Sequence, residues 1–72
     1  MGEFLSNNKY MTTAATVETI KTDDTVIFPG RKQPVTIIAT WPGRNGNIEI
    51  AGWNRGRVAL ILPASTAVEV VR

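Results

Sequence analysis

Seventy-two residues with a formal net charge of +2 and neither Cys nor His make one small domain without disulfides, thiolate metal sites or imidazole chemistry. The longest apolar run, Val58 to Leu62, is far too short to span a bilayer as a helix. Phe4-Leu5 passes straight into Ser6-Asn7-Asn8-Lys9 rather than into the apolar stretch of a secretory signal, so the expectation is a cytoplasmic protein with no membrane, metal or cofactor partner.

Residues 1–10 read as a leader, because Met1-Gly2-Glu3-Phe4 resembles translated cloning sites and Met11-Thr12-Thr13-Ala14 resembles a natural start. Residues 11–21 read as an N-terminal arm: Thr12 to Thr16 is small and β-branched without a capping pattern, and Val17 to Lys21 is a short strand or extended lead-in. Residues 22–72 carry the domain. The turn formers Thr22-Asp23-Asp24 precede a strand Thr25 to Phe28, with Val26 and Phe28 on one face. Pro29-Gly30 stops it, and Arg31-Lys32-Gln33 forms a polar loop up to Pro34.

Val35 to Trp41 alternates, with Val35, Ile37, Ala39 and Trp41 on the predicted inner face and Thr36, Ile38 and Thr40 on the other. Pro42 to Asn47 holds the densest turn signal in the chain. Ile48 to Trp53 and Arg57 to Leu62 then form a hairpin about Asn54-Arg55-Gly56. A three-residue loop ending in Gly suits a type I turn followed by a left-handed residue. That pairs Trp53 with Arg57, Gly52 with Val58, Ile50 with Leu60 and Ile48 with Leu62. A four-residue loop Gly43–Gly46 sets Trp41 against Ile48, Ala39 against Ile50 and Ile37 against Gly52, so both loops imply one core face. Pro63 to Thr66 reads as a break that fits a single 3₁₀ turn, and Ala67 to Val71 as the last strand.

The fold expected is all-β: a single small five-stranded barrel with a central three-strand meander. Its element order resembles the SH3-like barrels from about Thr22 to Val71. Ile20-Lys21-Thr22-Asp23-Asp24-Thr25-Val26 is similar to the hydrophobic-x-x-Gly-Asp-x-Val opening of KOW-type ribosomal and transcription-factor barrels, with Asp23 in place of the Gly. The resemblance implies a fold and leaves function open.

Catalysis is not expected. Asp23 and Asp24 are neighbours that point apart on an extended chain, Ser65 has no base to activate it, and no helix follows Gly43 and Gly46 to make a phosphate loop. Residues 31–57 carry Arg31, Lys32, Arg44, Arg55 and Arg57 against Glu49 alone. With Asn45, Asn54 and Trp53, these cations form a candidate nucleic-acid surface: phosphate partners beside an aromatic ring on which a base can stack. The alternative is a protein-protein or self-assembling interface, because Ile38, Ala51, Trp53, Ala59 and Ile61 fall on the predicted outer face. Such a contiguous apolar patch marks a surface that something covers. Three covers present themselves: the segment around Val17 and Ile20, a second copy of the chain, or a different protein. Trp41 is assigned to the core or its rim.

Overall fold

A computed structural model describes residues 11–71 of the protein; the leader expected over residues 1–10 lies outside them. The described chain is all-β. Its strands are β1 Thr12–Thr16, β2 Thr25–Ile27, β3 Val35–Pro42, β4 Asn47–Trp53, β5 Arg57–Pro63 and β6 Ala67–Val71, with one 3₁₀ turn at Val17–Thr19. All neighbours are antiparallel, in the order β1-β6-β2-β3-β4-β5. The expectation of five strands is corrected to six among the described residues. Among the described residues the sheet is not closed, and β1 and β5 are its edges.

The sixth strand comes from the stretch read as an arm. Thr12 to Thr16 pairs with β6 from Thr12↔Val71 to Thr16↔Ala67. Its Thr and Ala side chains give no apolar alternation to read, so the ladder to β6 makes it a strand. The chain then turns through Val17–Thr19, where the Val17 and Glu18 N–H groups donate to the Thr66 and Ala64 carbonyls, both at 3.0 Å. This places Val17 and Ile20 in the core, so residues 12–20 belong to the sheet and its packing rather than to an arm. The 3₁₀ turn thus lies at Val17–Thr19, while the break after β5 is a tight turn closed by Thr66 N–H to the Pro63 carbonyl at 3.0 Å.

The core holds Val17, Ile20, Val26, Phe28, Val35, Ile37, Ile50, Val68 and Val70, all at most 5 % exposed, with Val58, Leu60 and Leu62 packed at its margin. The β4–β5 register is the one the hairpin implied, from Ile48↔Leu62 to Trp53↔Arg57. The loop reaches it in its own way, with Arg55 at φ 57° and Gly56 at φ 154°.

The β3–β4 register differs in a way that matters for function. Ile37 faces Gly52 as expected, but a β-bulge at Ile38 follows. Beyond it Ala39 faces Ala51, Thr40 faces Ile50, Trp41 faces Glu49 and Pro42 faces Ile48. One extra residue in a strand moves everything beyond it to the opposite face relative to plain alternation. Ala39 and Trp41 therefore turn outward and Thr40 turns inward, which corrects the placement of Trp41 on the inner face, at the core or its rim. Outside the β3–β4 ladder, the strand near the bulge is held by Asp23 N–H to the Ile37 carbonyl at 2.8 Å, Ile37 N–H to the Asp24 carbonyl at 2.8 Å, and Thr22 Oγ1 donating to the Ile38 carbonyl at 3.1 Å.

Candidate interaction surface

The outer face of the meander is assembled by three strands. In the observed register β3 contributes Thr36, Ile38, Ala39 and Trp41, β4 contributes Glu49, Ala51 and Trp53, and β5 contributes Arg57, Ala59 and Ile61. Four large apolar side chains on this face are open to solvent: Ile38 at 51 %, Trp41 at 46 %, Trp53 at 53 % and Ile61 at 64 %. Among the described residues the remaining exposed large apolar side chain is Met11.

A groove of about 380 Å³ crosses this face. Ile38, Ala51, Trp53 and Ala59 line it, with the Arg57 side chain as its one charged wall. Four of the five residues expected at a protein interface thus meet in one concavity, and Ile61 stands on the same face two positions along β5 from Ala59. The small side chains of the Ala51↔Ala59 pair sit between the bulk of Ile38 and Trp53 and leave room for a ligand side chain. Gly52 belongs to the lining through its backbone. It runs so close to β3 that an added Cβ would lie 2.9 Å from the Thr36 carbonyl oxygen and within clashing distance of Val35 Cγ1.

Trp41 is the member that alternation missed. Its Nε1–H donates to Glu49 Oε1 at 2.6 Å, a short bond to a charged acceptor that fixes the indole edge at the far end of the face. The signal in the sequence was Ile37-Ile38, two adjacent large apolar residues where strict alternation asks for one, which is how a bulge within an apolar strand reads. The segment around Val17 and Ile20 does not cover the face, because both side chains are spent in the core at 1 % and 5 % exposure.

The basic residues divide into two groups. Asn54 Nδ2–H donates to the Pro34 carbonyl at 2.9 Å, which pins the β4–β5 turn to the β2–β3 loop. Arg31, Lys32, Asn54, Arg55 and Arg57 therefore share one end of the sheet with Trp53. Arg44 and Asn45 occupy the β3–β4 turn at the other end of β4. The six steps from Asn47 to Trp53 place that turn ~20 Å away at about 3.3 Å per residue. The surface expected to be continuous is split, and Asn54 already uses one donor as a structural clip.

A second concavity, about 530 Å³, lies between β1, the 3₁₀ turn and the turn before β2, lined in part by Thr16, Thr19, Lys21 and Asp24. Its polar groups serve the local fold: Asp24 Oδ2 accepts from Lys21 N–H at 2.9 Å, and Thr19 Oγ1 donates to the Thr16 carbonyl at 2.8 Å. Among the described residues no group of three or more acidic, His or Cys side chains is placed to hold a metal ion, and no helix is long and apolar enough to cross a membrane. No protein-family model, curated protein or solved structure matches the chain, and the functional reading rests on the surface itself.

Proposed function

We propose that the chain is a non-enzymatic protein-interaction module that docks a partner segment in the outer groove of its meander. The observation that carries this reading is the bulge at Ile38, which brings Trp41 onto the same exposed face as Ile38, Trp53 and Ile61. At about half exposure each Trp offers ~100 Å² of contact surface. Exposed aromatic and aliphatic side chains around a groove of small residues are the usual anchor arrangement of binding surfaces. Arg57 is the groove's charged wall, so the partner that complements it presents an apolar side chain beside a carboxylate.

The test is selection of peptides from a random displayed library against the purified chain, followed by direct titration of labelled winners. The expected ligands carry an aromatic or large aliphatic residue within two positions of Asp or Glu. They should weaken at least tenfold against Ile38→Asp or Trp53→Ala and be indifferent to Arg44→Ala. Ligands indifferent to Ile38→Asp, or no enrichment at all, would overturn the reading.

A nucleic-acid reading is favoured by one observation, the Asn54 to Pro34 bond that ties the turn bearing Arg55 to the loop bearing Arg31 and Lys32, at the end of the sheet that also holds Trp53 and Arg57. It predicts salt-dependent micromolar oligonucleotide binding that falls with the Arg55→Ala, Trp53→Ala double variant and not with Arg44→Ala, Asn45→Ala. The two readings separate on salt, since an apolar docking site with a single charge pair loses far less affinity as ionic strength rises than binding through several phosphate contacts does.

For architecture we infer an SH3-like arrangement opened between β1 and β5. It is supported by the order strand, loop, three-strand meander, turn, strand. It is also supported by Asp23, whose φ of 77° is the backbone state that the Gly of the KOW-type opening supplies without strain.

A further inference from the structure

We propose that the chain forms a two-fold dimer by pairing its β5 strand with β5 of a second copy. Among the described residues every interior strand of the sheet has ladder partners on both sides, whereas β5 pairs with β4 alone. Among the described residues no hydrogen bond outside that ladder reaches Val58 through Leu62. A strand in this position presents a row of backbone N–H and C=O groups that only another strand satisfies in full.

Three properties of β5 select a second copy of this chain as that strand. First, its edge is undefended. Natural edges are blunted by charges, bulges or an interior proline, yet the β4–β5 register is unbroken from Asn47↔Pro63 to Trp53↔Arg57. The only charge and the only proline of β5 are its end residues, Arg57 and Pro63. The opposite edge, β1, is shorter and reads TTAAT.

Second, burial fades toward β5. Val26, Val35 and Ile37 are at most 1 % exposed and Ile50 is 2 %, while Val58, Leu60 and Leu62 on the same inner face are only partly buried. The apolar face continues to an edge beyond which no described residue covers it.

Third, the strand is complementary to itself. An antiparallel pair centred on Leu60 matches all seven residues, with Arg57 opposite Pro63, Val58 opposite Leu62, Ala59 opposite Ile61 and Leu60 opposite its own copy. Inner residues meet inner residues and outer residues meet outer ones, as an isologous two-fold contact requires. The product is a continuous twelve-stranded sheet from two copies of the six-stranded one, with the two outer grooves side by side. This contact uses the edge of β5 and holds whether or not the groove has a ligand.

The experiment is sedimentation of the full chain from micromolar to millimolar concentration, with residue-resolved amide exchange by NMR on the same samples. The expected result is a twofold rise in mass, accompanied by slow exchange at consecutive amides of Val58 to Leu62. In a monomer only alternate amides, those facing β4, are slow. The Ala59→Lys, Ile61→Lys double variant sets like charges opposite one another on exposed outer positions and should be monomeric, as should Ala59→Glu, Ile61→Glu. Mixing the two should restore a dimer of one copy of each. A monomeric mass at millimolar concentration would overturn the proposal. So would a dimer whose alternate β5 amides still exchange freely, since it would be joined through another surface, or an open-ended series of masses, which marks head-to-tail pairing of β1 with β5.

Discussion

Substitution of Gly52 by Ala tests the register on which the interaction surface depends. Gly52 is buried in β4 opposite Ile37 and Val58. A Cβ at this position would lie 2.9 Å from the Thr36 carbonyl oxygen and press on Val35 Cγ1. Neither neighbour yields easily: Thr36 pairs with Thr25 and Trp53 in the ladder, and Val35 is fully buried. Overpacking a tight site costs typically 1–3 kcal/mol, and two fixed obstacles put this case near ~3 kcal/mol. For about 60 described residues total stability is on the order of 3–9 kcal/mol, so the variant should lose a third of it or more. At about 4–8 °C per kcal/mol for a domain this small, the melting midpoint should fall by roughly 12–24 °C. Urea unfolding followed by Trp fluorescence provides the free energy, provided the slope against denaturant is unchanged. Val35→Ala removes one obstacle, so the Gly52→Ala, Val35→Ala pair should be less destabilised than the sum of its parts. Gly46→Ala is the control. It meets no atom within 4 Å, and its φ of +78° charges it only the ~1–2 kcal/mol of a left-handed backbone. A Gly52→Ala protein within ~0.5 kcal/mol of the parent would refute both the close approach and the pairing of Ile37 with Gly52.

Two further substitutions probe the bulge and the turn before β2. Trp41→Lys should leave the chain folded, with a loss of no more than ~2–3 kcal/mol from packing and from the bond to Glu49, whereas Ile37→Lys, which buries an unpaired charge, should abolish folding; equal damage from the two, read by far-UV circular dichroism and urea midpoint, would return Trp41 to the core. Asp23→Gly should be neutral or stabilising by up to ~1 kcal/mol, because relief of the left-handed backbone offsets the greater chain freedom of Gly when unfolded; a thermal midpoint lowered by more than ~5 °C would mean that the Asp side chain is needed there.

Legibility in the sequence followed the range of the forces involved. The β4–β5 hairpin was readable because its turn residues and its alternation are local and agree. For the same reason Ile38, Ala51, Trp53 and Ala59 could be grouped before their groove was known. The β3–β4 register contained two one-residue displacements, at the Gly43–Gly46 turn and at Ile38, which cancel at Ile37↔Gly52. Alternation was right from Val35 to Ile38 and wrong from Ala39 to Trp41, the end next to the turn. The basic loops look equivalent as sequence, and the strand lengths, together with the Asn54 clip, are what separate Arg44 from the others.

The sequence by itself determined the strands that bury an alternating face, the meander and the residues of its tightest hairpin, because side-chain periodicity and turn chemistry act over a few neighbours. Tertiary structure alone decided that Thr12–Thr16 is a strand and that Val17 and Ile20 are core. It also decided that Trp41 faces solvent. In each case the deciding interactions come from partners distant in the chain: the β6 ladder, the carbonyls of Ala64 and Thr66, and the contacts of Thr22 and Asp23 with the bulged strand. Backbone hydrogen bonds of this kind carry no residue signature, so the sequence of the strand that receives them does not announce them.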